Sequence, residues 1–261
     1  MTAVAISAPR FDQAAVVIRT LRAIRGNLFV FGALSILFAV VPNGVFRWAQ
    51  LHHWEQSRGG IPLAELALNV AFWASNLIGL YLLQAALIHG VVADLNGNRA
   101  RFSECLFIGT RKFFLVVGLA ILTGVCITLG MLLLILPGIL IALSWSVAVP
   151  AALTEKLGIG DAIARSQALT KGHLSSIFIL WIYLCLLALG SFVSLWLISF
   201  LAVSLGIVSF VGDLAVVRAF TASGAHAILA LFGSAGIASV YYELRSIKEG
   251  IGPETLAAVF D

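Results

Sequence analysis

The chain has 261 residues, of which 61% are hydrophobic and only 11% are charged, and its mean hydropathy is +1.06. Soluble domains carry about 25% charged residues, and a chain of this size cannot hide such an apolar excess in a water-soluble core. The composition therefore excludes a soluble globular protein and predicts an all-α integral membrane protein. The basic residues behind the net charge of +4 lie in short clusters between apolar runs, so we expect no nucleic-acid partner.

Residues 1–26 have the pattern of a basic amphipathic segment. Apolar residues recur there with helical spacing, and arginines punctuate them: Phe11, Ala14, Ile18 and Leu21, with Arg19, Arg22 and Arg25. Such a pattern is typical of a helix that lies on an anionic membrane leaflet. The alternative is a disordered basic tail.

Five apolar runs exceed the roughly 20 residues that a helix needs to cross about 30 Å of hydrocarbon, and a sixth is somewhat shorter. The predicted spans are 27–47, 64–92, 113–135, 139–153, 174–204 and 216–241, and a cytoplasmic tail follows at 242–261. The fourth run is short and contains Pro150, so it either crosses with little tilt or breaks into an interfacial piece. The sequence Leu136-Pro137-Gly138 predicts a tight turn between the third and fourth spans.

Lysines and arginines are distributed unevenly between the two sets of connections, which predicts the orientation of the spans. One set holds 13 basic residues: Arg10, Arg19, Arg22, Arg25, Arg99, Arg101, Arg111, Lys112, Lys156, Arg165, Lys171, Arg245 and Lys248. The other set holds three: Arg47, Arg58 and Arg218. We therefore predict that both termini are cytoplasmic.

Two polar connections predict short helices at the cytoplasmic surface, at 100–111 and 161–171. The second connection reads DAIARSQALTKG. Its first residue, Asp161, suits the positive end of a helix. Gly172 is the expected stop, because glycine adopts the left-handed conformation at little cost.

The same helix carries a pattern that resembles a known family. A glutamate closes the fourth span, and the helix follows the spacing Ala-x-x-Arg-Ser-x-x-x-Thr-x-Gly; the residues are Glu155, Ala162, Arg165, Ser166, Thr170 and Gly172. Together with the stretches at 89–106 and 241–250 and the Leu-Pro-Gly turn, they resemble the bacterial family called the membrane domain of glycerophosphoryl diester phosphodiesterase.

The resemblance implies a six-helix, multi-pass protein of the bacterial inner membrane. In a few members of that family the membrane part is fused to a soluble phosphodiesterase barrel, and the hydrolysis belongs to the barrel. The His-Arg dipeptide that opens the barrel's active-site motif does not occur in this sequence. The resemblance therefore implies no phosphodiesterase activity for this chain.

Three groups of residues are candidates for binding or packing. Basic residues near the predicted inner surface are candidates for contact with lipid headgroups: Arg99, Arg101, Arg165 and Lys171. Two histidines, His89 and His226, are candidates because polar groups at membrane depth are costly and are often functional. Small residues at helical spacing on the sixth span predict close helix packing: Ser223, Ala227, Ala230 and Ser234.

No catalytic or metal-binding pattern is present in the spans. They carry no paired carboxylates, no Ser/His/Asp combination within reach and no His-x-x-x-His helix. The three cysteines, Cys105, Cys126 and Cys185, are odd in number and widely spaced, which predicts neither a disulfide framework nor a metal site. We expect no enzymatic activity, no cofactor and no metal.

The sequence favours a protein of membrane organisation or envelope homeostasis that interacts with anionic lipid or with a partner at the inner leaflet. The small-residue stripe leaves a homo-oligomer open. A transporter or lipid-moving protein is one alternative class. A membrane enzyme of lipid metabolism is another, in which Glu155, Arg165 and His89 would gather around a phosphate headgroup.

Overall fold

The computed structural model describes residues 11–46, 63–95, 99, 101–206 and 214–250. Over these ranges the secondary structure is helical, without strands. The helices are α1 (Gln13–Gly26), α2 (Leu28–Ser35), α3 (Leu63–Leu95), α4 (Phe102–Arg111), α5 (Phe113–Leu133), α6 (Ile135–Ser144), α7 (Ala148–Thr154), α8 (Ile159–Thr170), α9 (Leu174–Ser204) and α10 (Leu214–Glu249). Helix α2 continues through a π-helical turn at Ile36–Val40 and ends the first apolar stretch at Phe46.

Six helical stretches are long and apolar enough to cross a membrane: Leu28–Phe46, Asn69–Leu95, Phe113–Leu133, Ile135–Thr154, Leu174–Ser204 and Ala222–Glu249. The fold class predicted from composition is therefore confirmed. The last helix differs from its predicted end at 241 and continues to Glu249. The reason is burial, because Glu243 and Leu244 are buried in contact with the N-terminal segment.

The two long helices α3 and α10 form the centre of the bundle. Both end beside α1: the Asn27 amide, just after α1, donates to Asp94 of α3 at 2.7 Å, and Arg19 pairs with Glu243 of α10. The two helices therefore run in the same direction. We call the end of the bundle formed by α1, α4, α8 and the last turns of α3 and α10 the basic end.

Helix α1 begins at a side-chain cap, because Asp12 accepts hydrogen bonds from the backbone of Ala14 at 2.9 Å and Ala15 at 3.1 Å. Its buried face, which the sequence analysis did not predict, is formed by Val16, Thr20, Ala23 and Ile24. The face predicted from the spacing of Ile18 and Leu21 is exposed. Helix α1 thus has two apolar faces, of which only one packs on the bundle.

The turn between the third and fourth spans lies at Leu134 and not at Pro137-Gly138. Leu134 is extended, with φ −160° and ψ 138°, and α6 begins at the next residue. Pro137 falls in the first turn of α6, where its missing N–H has no helical partner to lose. Gly138 allows the close approach of α5, since a Cβ there would lie 2.7 Å from the backbone nitrogen of Met131.

The helix of the fourth span is interrupted at 145–147 and not at Pro150. Pro150 is tolerated because it falls in the first turn of α7. The two pieces together still extend over 20 residues, Ile135–Thr154. Span length is therefore kept despite the break.

Contact with the rest of the bundle varies strongly between the spans. In the most apolar window of α9 only 6% of the residues are buried, against 56% in the corresponding window of α10. The exposed residues of α9 are apolar nearly throughout. We conclude that lipid surrounds most of α9, whereas α10 is the central helix.

Candidate functional site at the basic end

Arg165 is the centre of a charged cluster at the basic end. Its Nε lies 3.0 Å and 2.9 Å from the two carboxylate oxygens of Glu155, and its Nη2 donates to Glu249. Arg245 also donates to Glu249, at 2.7 Å, and the Tyr241 hydroxyl donates to Glu155 at 2.7 Å. Two carboxylates and two guanidinium groups cancel, so Arg165 is neutralised within the protein.

Two hydroxyl groups of α8 hydrogen-bond the backbone carbonyl that is left without a helical partner at the break in the fourth span. Ser166 Oγ donates to the carbonyl oxygen of Ser144 at 2.7 Å, and Thr170 Oγ1 lies 3.1 Å from the same oxygen. That carbonyl ends α6, where the last helical carbonyls have no partner in their own helix. Both hydroxyl-bearing residues are buried. The serine and threonine of the resemblance therefore join α8 to the fourth span.

Helix α8 ends as the sequence predicts and begins slightly earlier. Gly172 has φ +93°, the left-handed conformation that favours glycine. The first helical residue is Ile159, so Asp161 lies in the first turn and does not cap the helix. The backbone carbonyl of Lys171 accepts a hydrogen bond from Lys248 Nζ at 3.1 Å, which ties the helix end to α10.

Arg19 and Glu243 form a second ion pair, which the sequence analysis missed. Glu243 is 6% exposed, and it also accepts a hydrogen bond from the backbone N–H of Asp12 at 3.4 Å. The guanidinium of Arg19 lies 5.5 Å from the centre of the Tyr242 ring. The sequence does contain a signal for this pair, because Glu243 falls on the same helical face as the apolar residues Val240 and Leu244. A carboxylate on a buried face requires a cation.

Among the described residues, the remaining basic side chains at this end are not paired with a carboxylate, although Lys248 donates to the Lys171 carbonyl and Arg111 lies over the Phe107 ring. Within the described ranges, no carboxylate lies at ion-pairing distance from Arg22, Arg25, Arg99, Arg111, Lys112, Lys156, Lys171 or Lys248. Arg101 lies 3.9 Å from Glu104, and both side chains are largely exposed, so this pair contributes little. Of the four predicted headgroup residues, Arg99, Arg101 and Lys171 are exposed, whereas Arg165 is held inside the cluster.

Two ionisable groups at this end, outside the membrane-spanning helices, have shifted pKa values. Burial lowers the pKa of His173, and the nearby Lys248 lowers it further. Burial raises the pKa of the Cys105 thiol to about 11, and the charge of Glu104 adds to the rise. At neutral pH we therefore expect a neutral imidazole at position 173 and a protonated thiol at position 105.

The two histidines singled out in the sequence lie apart from the charged cluster. His89 is half-buried on α3, within the electrostatic influence of Glu104 on α4. His226 is exposed on α10, and its Nδ1 lies 2.8 Å from the carbonyl oxygen of Ala222. Glu155 and Arg165 are in direct contact, but His89 does not join them in the constellation considered for a lipid enzyme.

The small-residue stripe of α10 faces the interior of the bundle. Ser223, Ala227 and Ser234 are buried, and Ala230 is half-buried. Ala227 and Ala230 lie in or against the cluster that includes Phe31 of α2. Among the described residues, no three His, Cys, Asp or Glu side chains come together in a way that could hold a metal ion.

Comparisons with known proteins agree with the class that the fold defines, a multi-pass helical membrane protein. The chain is 30% identical over 109 residues to a UPF0259 membrane protein of Pectobacterium carotovorum subsp. carotovorum. The match covers 42% of this chain and 44% of the relative, so the chain spans less than half of the relative's length. No family model matches the chain, and no solved structure matches it. The resemblance to the phosphodiesterase membrane domain stays a prediction.

Proposed function

We propose that the protein binds anionic lipid at the inner leaflet of the bacterial inner membrane and acts there without catalysing a reaction. The observation that carries this proposal is the exposed side of α1. Val17, Ile18 and Leu21 are 41%, 54% and 50% exposed, and Arg22 and Arg25 are exposed beside them. Apolar and cationic side chains on one helix surface are the combination that anionic membrane interfaces attract.

The position of α1 supports this proposal. Asp12, before its first turn, contacts Glu243 near the end of α10, and Asn27, after its last turn, contacts Asp94 near the end of α3. Both ends of α1 are thus attached to the same end of the bundle, and the helix crosses this end. A helix held in this way lies parallel to a membrane surface.

The charge balance of the basic end also supports lipid binding. The Arg165 cluster is internally neutral, so the net positive charge of this end comes from the unpaired arginines and lysines. We therefore assign headgroup contact to Arg22 and Arg25, with Arg99, Arg101 and Lys171 contributing. The matched charges around Glu155 and Arg165 favour a structural role for these two residues over chemistry on a phosphate group.

A lipid titration tests the proposal. Phosphatidylglycerol is titrated into the protein purified in a neutral detergent, and bound lipid is counted by native mass spectrometry. Each basic residue near an anionic surface contributes about 1 kcal/mol, so the double variant Arg22→Gln/Arg25→Gln should bind about 30-fold more weakly. Binding should also weaken as salt increases, because exposed charges are screened.

The matched control removes the same charge from the opposite set of connections. Arg47 and Arg58 lie outside the described residues, and the distribution of basic residues predicts that they lie on the far side. The variant Arg47→Gln/Arg58→Gln should bind phosphatidylglycerol like the unmodified protein. Equal losses in both double variants, or equal binding of phosphatidylcholine, would reject the lipid proposal and favour a protein partner.

A further inference from the structure

A second site lies far from the basic end, in a cleft between the first span, α3 and α10. Asn76 precedes Leu95 by 19 residues on α3, which places it about 28 Å from that end of the helix at 1.5 Å per residue. The cleft has a volume of about 280 Å³, close to the lower end of small-molecule pockets at about 300 Å³. Its position does not depend on the lipid contacts proposed for the basic end.

The first span and α3 come into close contact beside the cleft, at a π-helical turn of the first span. Phe38 lies in the π-helical turn Ile36–Val40, and a Cβ at position 79 would overlap its carbonyl oxygen. Gly79 therefore allows α3 to touch the backbone of the first span. Single π-helical turns inside α-helices occur frequently at functional sites. This turn directly precedes the helical segment that carries Asn43.

Two asparagines form a polar pair within the apolar surroundings. The Asn43 amide donates to the carbonyl oxygen of Ala39 at 2.9 Å, and its oxygen accepts from Asn76 Nδ2 at 2.7 Å. Asn43 is buried and Asn76 is half-buried. Asn76 Oδ1 has no hydrogen-bond partner among the described residues. Such an acceptor at membrane depth is costly unless a ligand or water meets it.

His226 lies on the opposite wall of the same cleft. Because the carbonyl oxygen of Ala222 can only accept, the nearby His226 Nδ1 carries a proton. In the tautomer with its proton on Nδ1, Nε2 is an acceptor. The described lining also includes Leu80, Leu229 and Ala230, and it contains no charged residue. Leu80 and His226 are exposed, so the cleft opens sideways from the bundle.

We propose that this cleft binds the neutral, hydroxyl-bearing head of a lipid, with Asn76 Oδ1 and His226 Nε2 accepting from the hydroxyl group. Two acceptors in an uncharged pocket match a hydroxyl donor, whereas a phosphate would find no cation in the described lining. The sideways opening lets the acyl chains stay in the bilayer while the head enters between α3 and α10.

Photocrosslinking tests the proposal on the full chain in phosphatidylcholine vesicles. The probe is a photoactivatable diacylglycerol, and crosslinks are mapped by mass spectrometry to α10 and, for comparison, to the lipid-exposed helix α9. We expect crosslinks concentrated at 222–234. Unlabelled diacylglycerol should compete about tenfold better than the same lipid with its hydroxyl acetylated, because the acetylated lipid has no donor.

Two variants and one control complete the test. Asn76→Leu and His226→Phe should each lower crosslinking to α10 at least about fivefold. His226 is exposed, so His226→Phe keeps the fold and remains informative if Asn76→Leu fails to fold. Ser191→Ala on α9, whose hydroxyl bonds only its own helix, should change nothing. Equal labelling of α9 and α10, equal competition by the acetylated lipid, or stronger competition by phosphatidylglycerol would overturn the proposal.

Discussion

Arg165 and Glu155 lie ten residues apart on either side of the connection between α7 and α8, and the Arg165 Nε lies 3.0 Å and 2.9 Å from the two carboxylate oxygens. The side chains are 28% and 19% exposed, so water screens the pair only in part. A third charge, on Glu249, extends the contact to the last turn of α10. Through Glu249, Arg165 therefore fixes α8 on the central helix α10.

Arg165→Gln should destabilise the protein by about 2 kcal/mol, between the values typical of exposed and of fully buried pairs. The reason is that Glu155 and Glu249 lose their shared cation. The measurement is the free energy of unfolding in mild detergent. Adding Glu155→Gln should restore part of the loss, since the two residues are coupled.

The control for this prediction is Arg101→Gln. Its pair with Glu104 is 3.9 Å long, with side chains 78% and 56% exposed, so less than about 1 kcal/mol is at stake. If both arginine variants lose the same stability, the cluster around Arg165 has no special structural role.

Gly138→Ala should separate α5 from α6 and cost about 1–3 kcal/mol, the range for overpacking. The new methyl group would lie 2.7 Å from the Met131 backbone nitrogen. Gly124→Ala on α5 is the matched control, because nothing lies within 4 Å of a Cβ there. That control should be neutral or slightly stabilising, since alanine favours a helix. The measurement is the melting temperature of both variants in the same detergent, and equal melting temperatures would contradict the prediction.

Cys105 should resist thiol reagents in the folded protein. Its pKa of about 11 leaves about one hundredth of the thiolate that an ordinary cysteine has at pH 8. The raised pKa favours the folded state at neutral pH, and this contribution is lost as pH rises through about 11. In a Cys126→Ser/Cys185→Ser background, maleimide labelling at pH 8 should be at least about 100-fold faster after unfolding in dodecyl sulfate. Similar rates before and after unfolding would show that the thiol is accessible.

An introduced cysteine can test the orientation, because the native Cys105 is buried. Gln167 is exposed on α8, and Gln167→Cys in a background with its cysteines replaced should react with an impermeant reagent only after the membrane is opened. His52→Cys, in a connection outside the described residues, should react in intact spheroplasts. The reverse pattern would place the basic end outside.

Features that depend on composition and local spacing were predictable from the sequence. The apolar runs locate the spans, and the ends of α9 at Leu174 and Ser204 coincide with the predicted limits. Gly172 is a stop because few other residues adopt its conformation. Such features are encoded within one or two helical turns.

Features that depend on contacts between distant elements were not predictable. The spacing of Ile18 and Leu21 identifies one apolar face of α1, but no local pattern shows that a second face packs on α10. Arg165 is a basic residue near the predicted inner surface, which is why the sequence suggests headgroup contact. Its partner Glu249 is distant in the sequence and comes close only in the folded chain. Pro137 and Gly138 are typical turn residues, yet they lie in the first turn of α6, and the chain reverses at Leu134. Gly138 instead packs closely against Met131 of α5.

The partner of Arg19 lies 224 residues further along the chain. During synthesis, the first helix therefore emerges long before Glu243 exists, and the part of its inward face that packs on α10 has no partner until α10 is made. The contact of Asn27 with Asp94 of α3 can form earlier, because Asp94 is made long before Glu243. The attachment of α1 to α10 is thus one of the last contacts to form, and a chain interrupted before α10 would lack the contacts of Asp12 and Arg19 with Glu243.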